Sequence, residues 1–446
     1  MKKLSFAICL FLLVQNTNAQ TDISPIKTDT ALLKSFMEKR FGMFVHWGPV
    51  TLRGGEIGWH RGHGIAVEDY DSLYKEFDPV LFNAKEWVKT MKDAGMKYMV
   101  FVSRHHDGFC MWPSKYSDYT IAQTPYKKDL MAELSKACRE QGIAFGIYFS
   151  ILDWHDKLYP NSYLDGAVVK PTADMKKFIE KIKNQITELV TNYHPFLLWF
   201  DGQWEGPWTT EMGKEVYAHI KKLDKNIIVN NRLGKGAIGE MTEKTVGDYL
   251  TPEQKIGKIN MQLPWESCIT IGKQWSWGPN EKIKSTEQSL KTLISTAGGN
   301  GNLLYNIGPM MDGRMEARQI KVLDDMGKWL KQNGEAIYAT NGGPYTPNSV
   351  FTSTRKGKNI FITLLKSDTA SITLPAIPNV TVLKATVLNG KQTVPFKQSG
   401  NGIELDLTGL KKGELFPVVV LETNVETLPI PVIEIKSAIN DKEDKH

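Results

Sequence analysis

An aspartate that closes an apolar run needs a reason other than packing. In Leu197-Leu198-Trp199-Phe200-Asp201-Gly202 the carboxylate ends what reads as a buried strand, and Gly202 leaves room for another group to approach it. Side chains alternate across a strand, so Trp199 and Asp201 share a face. A sugar ring stacked on Trp199 would bring its reactive carbon near Asp201, which makes Asp201 a candidate nucleophile. Its competing assignment is a cap for the next helix. His105-His106-Asp107 follows a second apolar run, and both rings can face one way only if the strand has already ended. Neutral histidines there would bind sugar hydroxyls; alternatively one bonds within the core and the other meets solvent. No HxH pair or HExxH motif accompanies them, so no metal is expected and a chelator should not affect the rate. Arg232 follows a third run, 226–231, where it orients an acid or binds a hydroxyl, or else makes a surface ion pair of little worth.

The elements that must hold these groups alternate. From about residue 30 to 340, short apolar runs at 41–47, 98–103, 144–150, 196–201, 226–231, 267–271 and 302–307 are separated by helical patterns at 84–94, 128–141, 173–193, 212–223 and 284–297. Such alternation predicts βα repeats and a parallel sheet. An eighth strand is placed around 245–249. The runs end in His46-Trp47-Gly48, Arg104 to Gly108, Asp153-Trp154-His155, Asp201-Gly202, Asn230-Asn231-Arg232 and Asn306-Ile307-Gly308. Protonatable and aromatic residues at C-terminal strand ends would form the rim of a (β/α)8 barrel, the rim where such barrels do chemistry. A doubly wound sheet would instead want a Gly-rich phosphate turn, which is absent.

Beyond Gly342-Gly343-Pro344 the texture changes. Runs at 360–365, 371–374, 380–388, 403–407 and 416–421 read as short strands with polar turns, giving a small antiparallel β-sandwich over 341–435. Residues 436–446 form a charged tail. At the other end, Lys2 and Lys3, an apolar stretch from Leu4 to Val14 and the exit Asn18-Ala19 have the layout of a signal peptide over 1–19, too short for a permanent membrane anchor. The expected product is exported, periplasmic or secreted, with the barrel over 20–340. Its remaining Cys110, Cys138 and Cys268 are odd in number and lack zinc spacing. The net charge of +6 is interspersed with no basic block, so no nucleic-acid partner is expected.

Six segments in order carry a family resemblance: Phe41 to Gly48 (FGMFVHWG), Arg104 to Phe109 (RHHDGF), Trp199-Phe200-Asp201-Gly202, Asn231-Arg232, Trp265-Glu266, and 299–309 (GNGNLLYNIGP). Together they resemble the α-L-fucosidases of glycoside hydrolase family 29 over about residues 30 to 340. The resemblance implies hydrolysis of terminal α-L-fucose with retention, through a fucosyl-enzyme ester, with no metal or organic cofactor. It implies that Asp201 is the nucleophile and that His46, His105 and His106 bind fucose hydroxyls. Trp199 corresponds to the aromatic on the nucleophile strand, Arg232 to the arginine near the acid, and Trp277 to an aromatic packed on the sugar. This chain departs from the common pattern at Glu56-Ile57-Gly58-Trp59, where Trp59 is expected to keep the aromatic wall, and at Arg104, which stands for a more usual lysine and reads as structural.

Retention needs a second carboxyl group. Glu253 lies past the 245–249 segment, on the rim side, in a stretch resembling the loop that holds the acid/base in one branch of the family. Glu266 immediately precedes the 267–271 run, which puts it at the bottom of the barrel; another branch uses a glutamate nearer that position. Glu253 is the expected acid/base. The competing functions are a retaining glycosidase for another sugar, such as an α-galactoside, a metal-dependent hydrolase, and a silent carbohydrate-binding barrel lacking one carboxylate. The segments Trp204 to Trp208 and Trp275 to Pro279 are expected on the aglycone side. No motif specifies the fucosyl linkage or the oligomeric state.

Overall fold

The computed structural model describes residues 28–160, 170–366, 369–390 and 392–435; the expected leader and charged tail lie outside them. Seven parallel strands make one sheet: β1 (Phe41–Val45), β2 (Tyr98–Arg104), β3 (Ala144–Ser150), β4 (Leu197–Asp201), β5 (Ile228–Val229), β6 (Glu266–Thr270) and β7 (Asn302–Ile307). Their order is β5-β4-β3-β2-β1-β7-β6. The gap between β5 and β6 is filled by residues 246–253. Parallel bridges join Asn230 to Tyr249, Leu250 to Trp265 and Glu253 to Cys268. The eighth strand expected at 245–249 is therefore a stave held by single bridges, because Gly247 takes φ +144° and Pro252 has no N–H to give. The result is the expected barrel.

Both faces of these strands are buried, as a barrel with an outer ring of helices requires. Phe41, Met43 and Val45 turn outward against Trp87 and Val88 of a helix at Ala84–Asp93. Phe44 turns inward among Val100, Tyr148 and Trp199. The same alternation on β4 sends Leu197, Trp199 and Asp201 to the interior. A helix at Thr30–Glu38 plugs the lower end, with Phe36 lying 5.6 Å from the Tyr98 ring and 4.9 Å from that of Tyr249. The upper end stays open.

Helix starts follow their caps. Leu130–Gln141 begins after Asp129, Met175–Tyr193 after Asp174 and Thr210–Leu223 after Thr209; each cap side chain accepts a backbone N–H from the first turn. The β2–β3 register slips between Val102 and Arg104. Arg104 thereby points outward, 4.2 Å over Phe149 and bonded to Gln185. It is structural, and the strand has ended before His105 and His106.

The C-terminal strands form two antiparallel sheets, of five and three strands. Ile360, Ile362 and Leu421 from the larger sheet pack with Leu374 and Leu405 from the smaller. The runs expected as strands correspond to Asn359–Leu364, Ser371–Leu374, Val382–Val387, Gly402–Asp406 and Val418–Thr423. Three further strands, Asn341–Gly342, Phe351–Lys356 and Phe396–Ser399, lie outside those runs. Phe351–Lys356 buries Thr352, Ser353, Thr354 and Arg355, so it lacks the apolar alternation that marks a strand. Phe396–Ser399 is almost wholly exposed.

Candidate active site

At the C-terminal ends of the barrel strands a cavity of about 400 Å³ opens to solvent. Its depth is aromatic: Phe44, Tyr148 and Trp199 come from the inward-facing positions of β1, β3 and β4. Around them stand His46, His105, Asp201 and Glu253, and loops contribute Trp59, Trp204 and Trp275. An apolar cavity with a few convergent polar groups is the usual form of a small-ligand site.

Arg232 organises the carboxylates. Its Nη1 lies 2.8 Å from Asp201 Oδ1 and 2.8 Å from Glu253 Oε2. A guanidinium Nη carries two hydrogens, one for each carboxyl group. Those two oxygens are thus at most twice 2.8 Å apart. The fork cannot swing away: Nε donates to Thr251 Oγ1 and Nη2 to the Thr251 carbonyl, both at 3.0 Å. The Trp199 ring lies 4.5 Å beneath the guanidinium carbon, a cation–π contact. Burial works against the Arg232 charge, but Asp201 and Glu253 more than offset it and its pKa is raised. Asp201 also accepts from the Tyr148 hydroxyl at 3.3 Å.

The histidines are held neutral. Burial, the largest effect on each, brings His46 and His106 down to about 3 and His105 well below its ordinary value. Asn306 fixes the tautomer of His46. Its Nδ2 donates to the Trp275 carbonyl at 2.7 Å, so its Oδ1 faces His46 Nδ1 at 2.6 Å and must receive a proton from it. His46 Nε2 is left as an acceptor for a ligand hydroxyl. By the same logic Ser150 Oγ, which donates to the Leu152 carbonyl, accepts from His106 Nδ1 at 2.8 Å. His106 Nε2 lies 3.6 Å from Asp201 Oδ2.

Most of the residues expected at the site converge. His46, Trp59, His105, Trp199, Asp201 and Glu253 line the cavity, while Arg232 and His106 stand behind it against Asp201. Trp277 does not line it: its indole N–H turns to Glu316 at 3.1 Å, and Trp275, two residues earlier, takes the wall. Glu266 heads β6 at the closed end, where it accepts from Tyr98, from Trp199 Nε1 at 3.1 Å and from the Tyr249 hydroxyl at 3.3 Å. Burial pushes its pKa up to about 7. Glu56 does not reach the cavity; its carboxylate accepts from the backbone of Trp275 and Ser276 and so props the Trp275 loop. Phe44 and Tyr148 line the cavity as well and stand outside the expected set. Counting back by two from His46 and Ser150 along their strands would have found both. Among the described residues no three His, Cys, Asp or Glu side chains gather in a way that could hold a metal ion.

Comparison with known proteins agrees with this geometry. A sequence model of the alpha-L-fucosidase family matches residues 11–335. An alpha-L-fucosidase from Branchiostoma floridae is 32% identical over 331 residues, 68% of this chain and 71% of that protein. The plasma alpha-L-fucosidase of Homo sapiens is 30% identical over 75% of this chain and 76% of its own. Among solved structures, alpha-L-fucosidase isoenzyme 1 from Paenibacillus thiaminolyticus is 30% identical with a TM-score of 0.78, over 88% of this chain and 98% of that one. A family 29 alpha-L-fucosidase from Bacteroides thetaiotaomicron, trapped as a covalent intermediate in complex with 2-fluoro-fucosyl fluoride, is 26% identical with a TM-score of 0.81, covering 90% and 97%. The chain belongs to the alpha-L-fucosidase family of glycoside hydrolases.

Proposed function

We propose that the protein removes terminal α-L-fucose from fucosylated oligosaccharides or glycoconjugates with retention, Asp201 acting as nucleophile and Glu253 as acid/base. The observation that carries this reading is the single Arg232 nitrogen shared by the two carboxyl groups. Retaining pairs stand about 5–5.5 Å apart and inverting pairs about 6.5–9.5 Å. Two carboxyl oxygens within twice 2.8 Å of each other support the retaining reading.

In the first step Asp201 attacks the anomeric carbon while Glu253 protonates the departing glycosidic oxygen. A β-fucosyl ester forms on Asp201, and the carboxylate charge passes to Glu253. In the second step Glu253 takes a proton from water, which attacks the same carbon and releases α-L-fucose. One negative charge is present at each stage, on one carboxyl group or the other. A guanidinium touching both matches it throughout without moving. Glu253 is a third exposed, which suits a group that must meet both the leaving group and water. The neutral histidines serve as hydrogen-bond partners for the fucose hydroxyls. Phe44 and Trp275, 6.0 Å apart, offer an apolar wall for the methyl group that distinguishes a 6-deoxy sugar from galactose.

The test compares Glu253→Ala with Glu266→Ala on fucosides bearing good and poor leaving groups. Loss of the acid should slow the poor leaving group far more, and azide should restore turnover as α-fucosyl azide. If only Glu266→Ala behaves this way, the assignment of Glu253 falls.

Export is proposed as well, supported by the charged start, apolar run and Asn18-Ala19 exit. Among the described residues no helix is long and apolar enough to cross a membrane. N-terminal sequencing of the protein from a periplasmic or culture fraction should begin at Gln20; an intact Met1 there would refute processing.

A further inference from the structure

Trp204 is the one cavity-lining indole that solvent reaches broadly. It is 42% exposed, whereas Trp199 deeper in the same cavity is 2% exposed. A loose surface loop could explain an exposed indole, but this loop is pinned directly after it. Glu205, the next residue, is buried and accepts from the indole N–H of Trp154 at 2.8 Å and from the Tyr159 hydroxyl at 2.5 Å. Its backbone carbonyl takes the Lys235 ammonium at 2.5 Å. Trp208 is 1% exposed and donates to the Leu233 carbonyl at 2.8 Å. The indole of Trp204 is therefore held out at the cavity mouth by a rigid support, at the cost of leaving apolar area wet. It stands edge to face with His106, ring centres 5.2 Å apart, and lies nearly parallel to Trp59 at an interplanar angle of 17°.

Depth decides what such a ring meets. The reacting sugar must reach Asp201, among Phe44, Tyr148 and Trp199; whatever remains attached to it extends toward the open end, where Trp204 is. We infer that Trp204 is the platform of a subsite for the leaving group, on which a pyranose of a fucosylated oligosaccharide lays its apolar C–H face. This rests on the active-site reading above and adds a specificity-determining residue to it. Stacking of an apolar face on an indole, with the area it buries, accounts for roughly a tenfold preference.

The experiment measures kcat/KM of the wild type, Trp204→Ala and Trp204→Phe on three substrates. They are α-L-fucosyl fluoride, whose leaving group has no ring, and two fucosylated disaccharides, α-fucosyl-(1,2)-galactose and α-fucosyl-(1,6)-N-acetylglucosamine. Trp204→Ala should lose about tenfold more on the disaccharides than on the fluoride, chiefly through KM, and Trp204→Phe should recover part of that difference. Equal losses on fluoride and disaccharides would place Trp204 against the fucosyl ring and overturn the inference, leaving the active-site reading intact. Unchanged values on all three would make Trp204 a bystander and overturn it too. A wild type unable to hydrolyse fucosyl fluoride would instead sink the active-site reading itself.

Discussion

Replacing Arg232 with methionine removes the cation that both carboxyl groups share and keeps a side chain of similar length. Each charge-assisted hydrogen bond at 2.8 Å is worth about 1.5–3 kcal/mol to the ionised form of its partner. At about 1.36 kcal/mol per tenfold in rate, loss of that stabilisation should lower kcat/KM by about ten- to a hundredfold. The sign is fixed, because the negative charge passes from one carboxyl group to the other and both positions lose their cation. Arg232→Lys keeps a charge but gives up the two bonds to Thr251, so it should recover only part of that loss. The assay is hydrolysis of 4-nitrophenyl α-L-fucoside, with circular dichroism to confirm folding. A folded Arg232→Met enzyme with wild-type kcat/KM would refute the shared-cation argument.

Asp201→Gly should lower kcat by at least about 10⁴-fold, and azide should recover turnover as β-fucosyl azide; high activity without added anion would remove Asp201 from its role. NMR of ring protons should show no titration of His46 or His106 between about pH 5 and 8, since burial brings both to about 3; a midpoint near 6.5 would contradict their neutral, hydroxyl-binding state. Glu266 has a folded-state pKa of about 7 against an ordinary 4.5. Its contribution to stability is complete below about pH 4.5 and is lost as pH rises through 7. The melting temperature of Glu266→Gln should therefore fall less than that of the wild type across this window, and equal slopes would show that Glu266 does not titrate there.

The barrel was legible because apolar runs and helical periods alternate strictly, and the rim because its polar residues close those runs. Asp201 and Trp199 could be paired from period-2 alternation alone. The orientation of Glu266 followed from its place at the head of a strand. The stave at 246–253 was harder to read: Gly247 and Pro252 break the pattern, and its hydrogen bonds come from neighbours on both sides. The choice between Trp275 and Trp277 depends on which backbone N–H groups meet the Glu56 carboxylate, across more than two hundred residues of sequence. No local pattern encodes such a contact. Likewise Arg232 could be placed on the rim, but its single nitrogen serving Asp201 and Glu253 emerges only when the stave brings Thr251 and Glu253 to it.

The central claim is a covalent fucosyl ester on Asp201. Incubation with 2-deoxy-2-fluoro-α-L-fucosyl fluoride, followed by proteolysis and tandem mass spectrometry, tests it directly. The account predicts one fluorofucosyl adduct per chain, on Asp201, accumulating as activity is lost. An adduct on Glu253 or Glu266, or inactivation with no adduct, would contradict it.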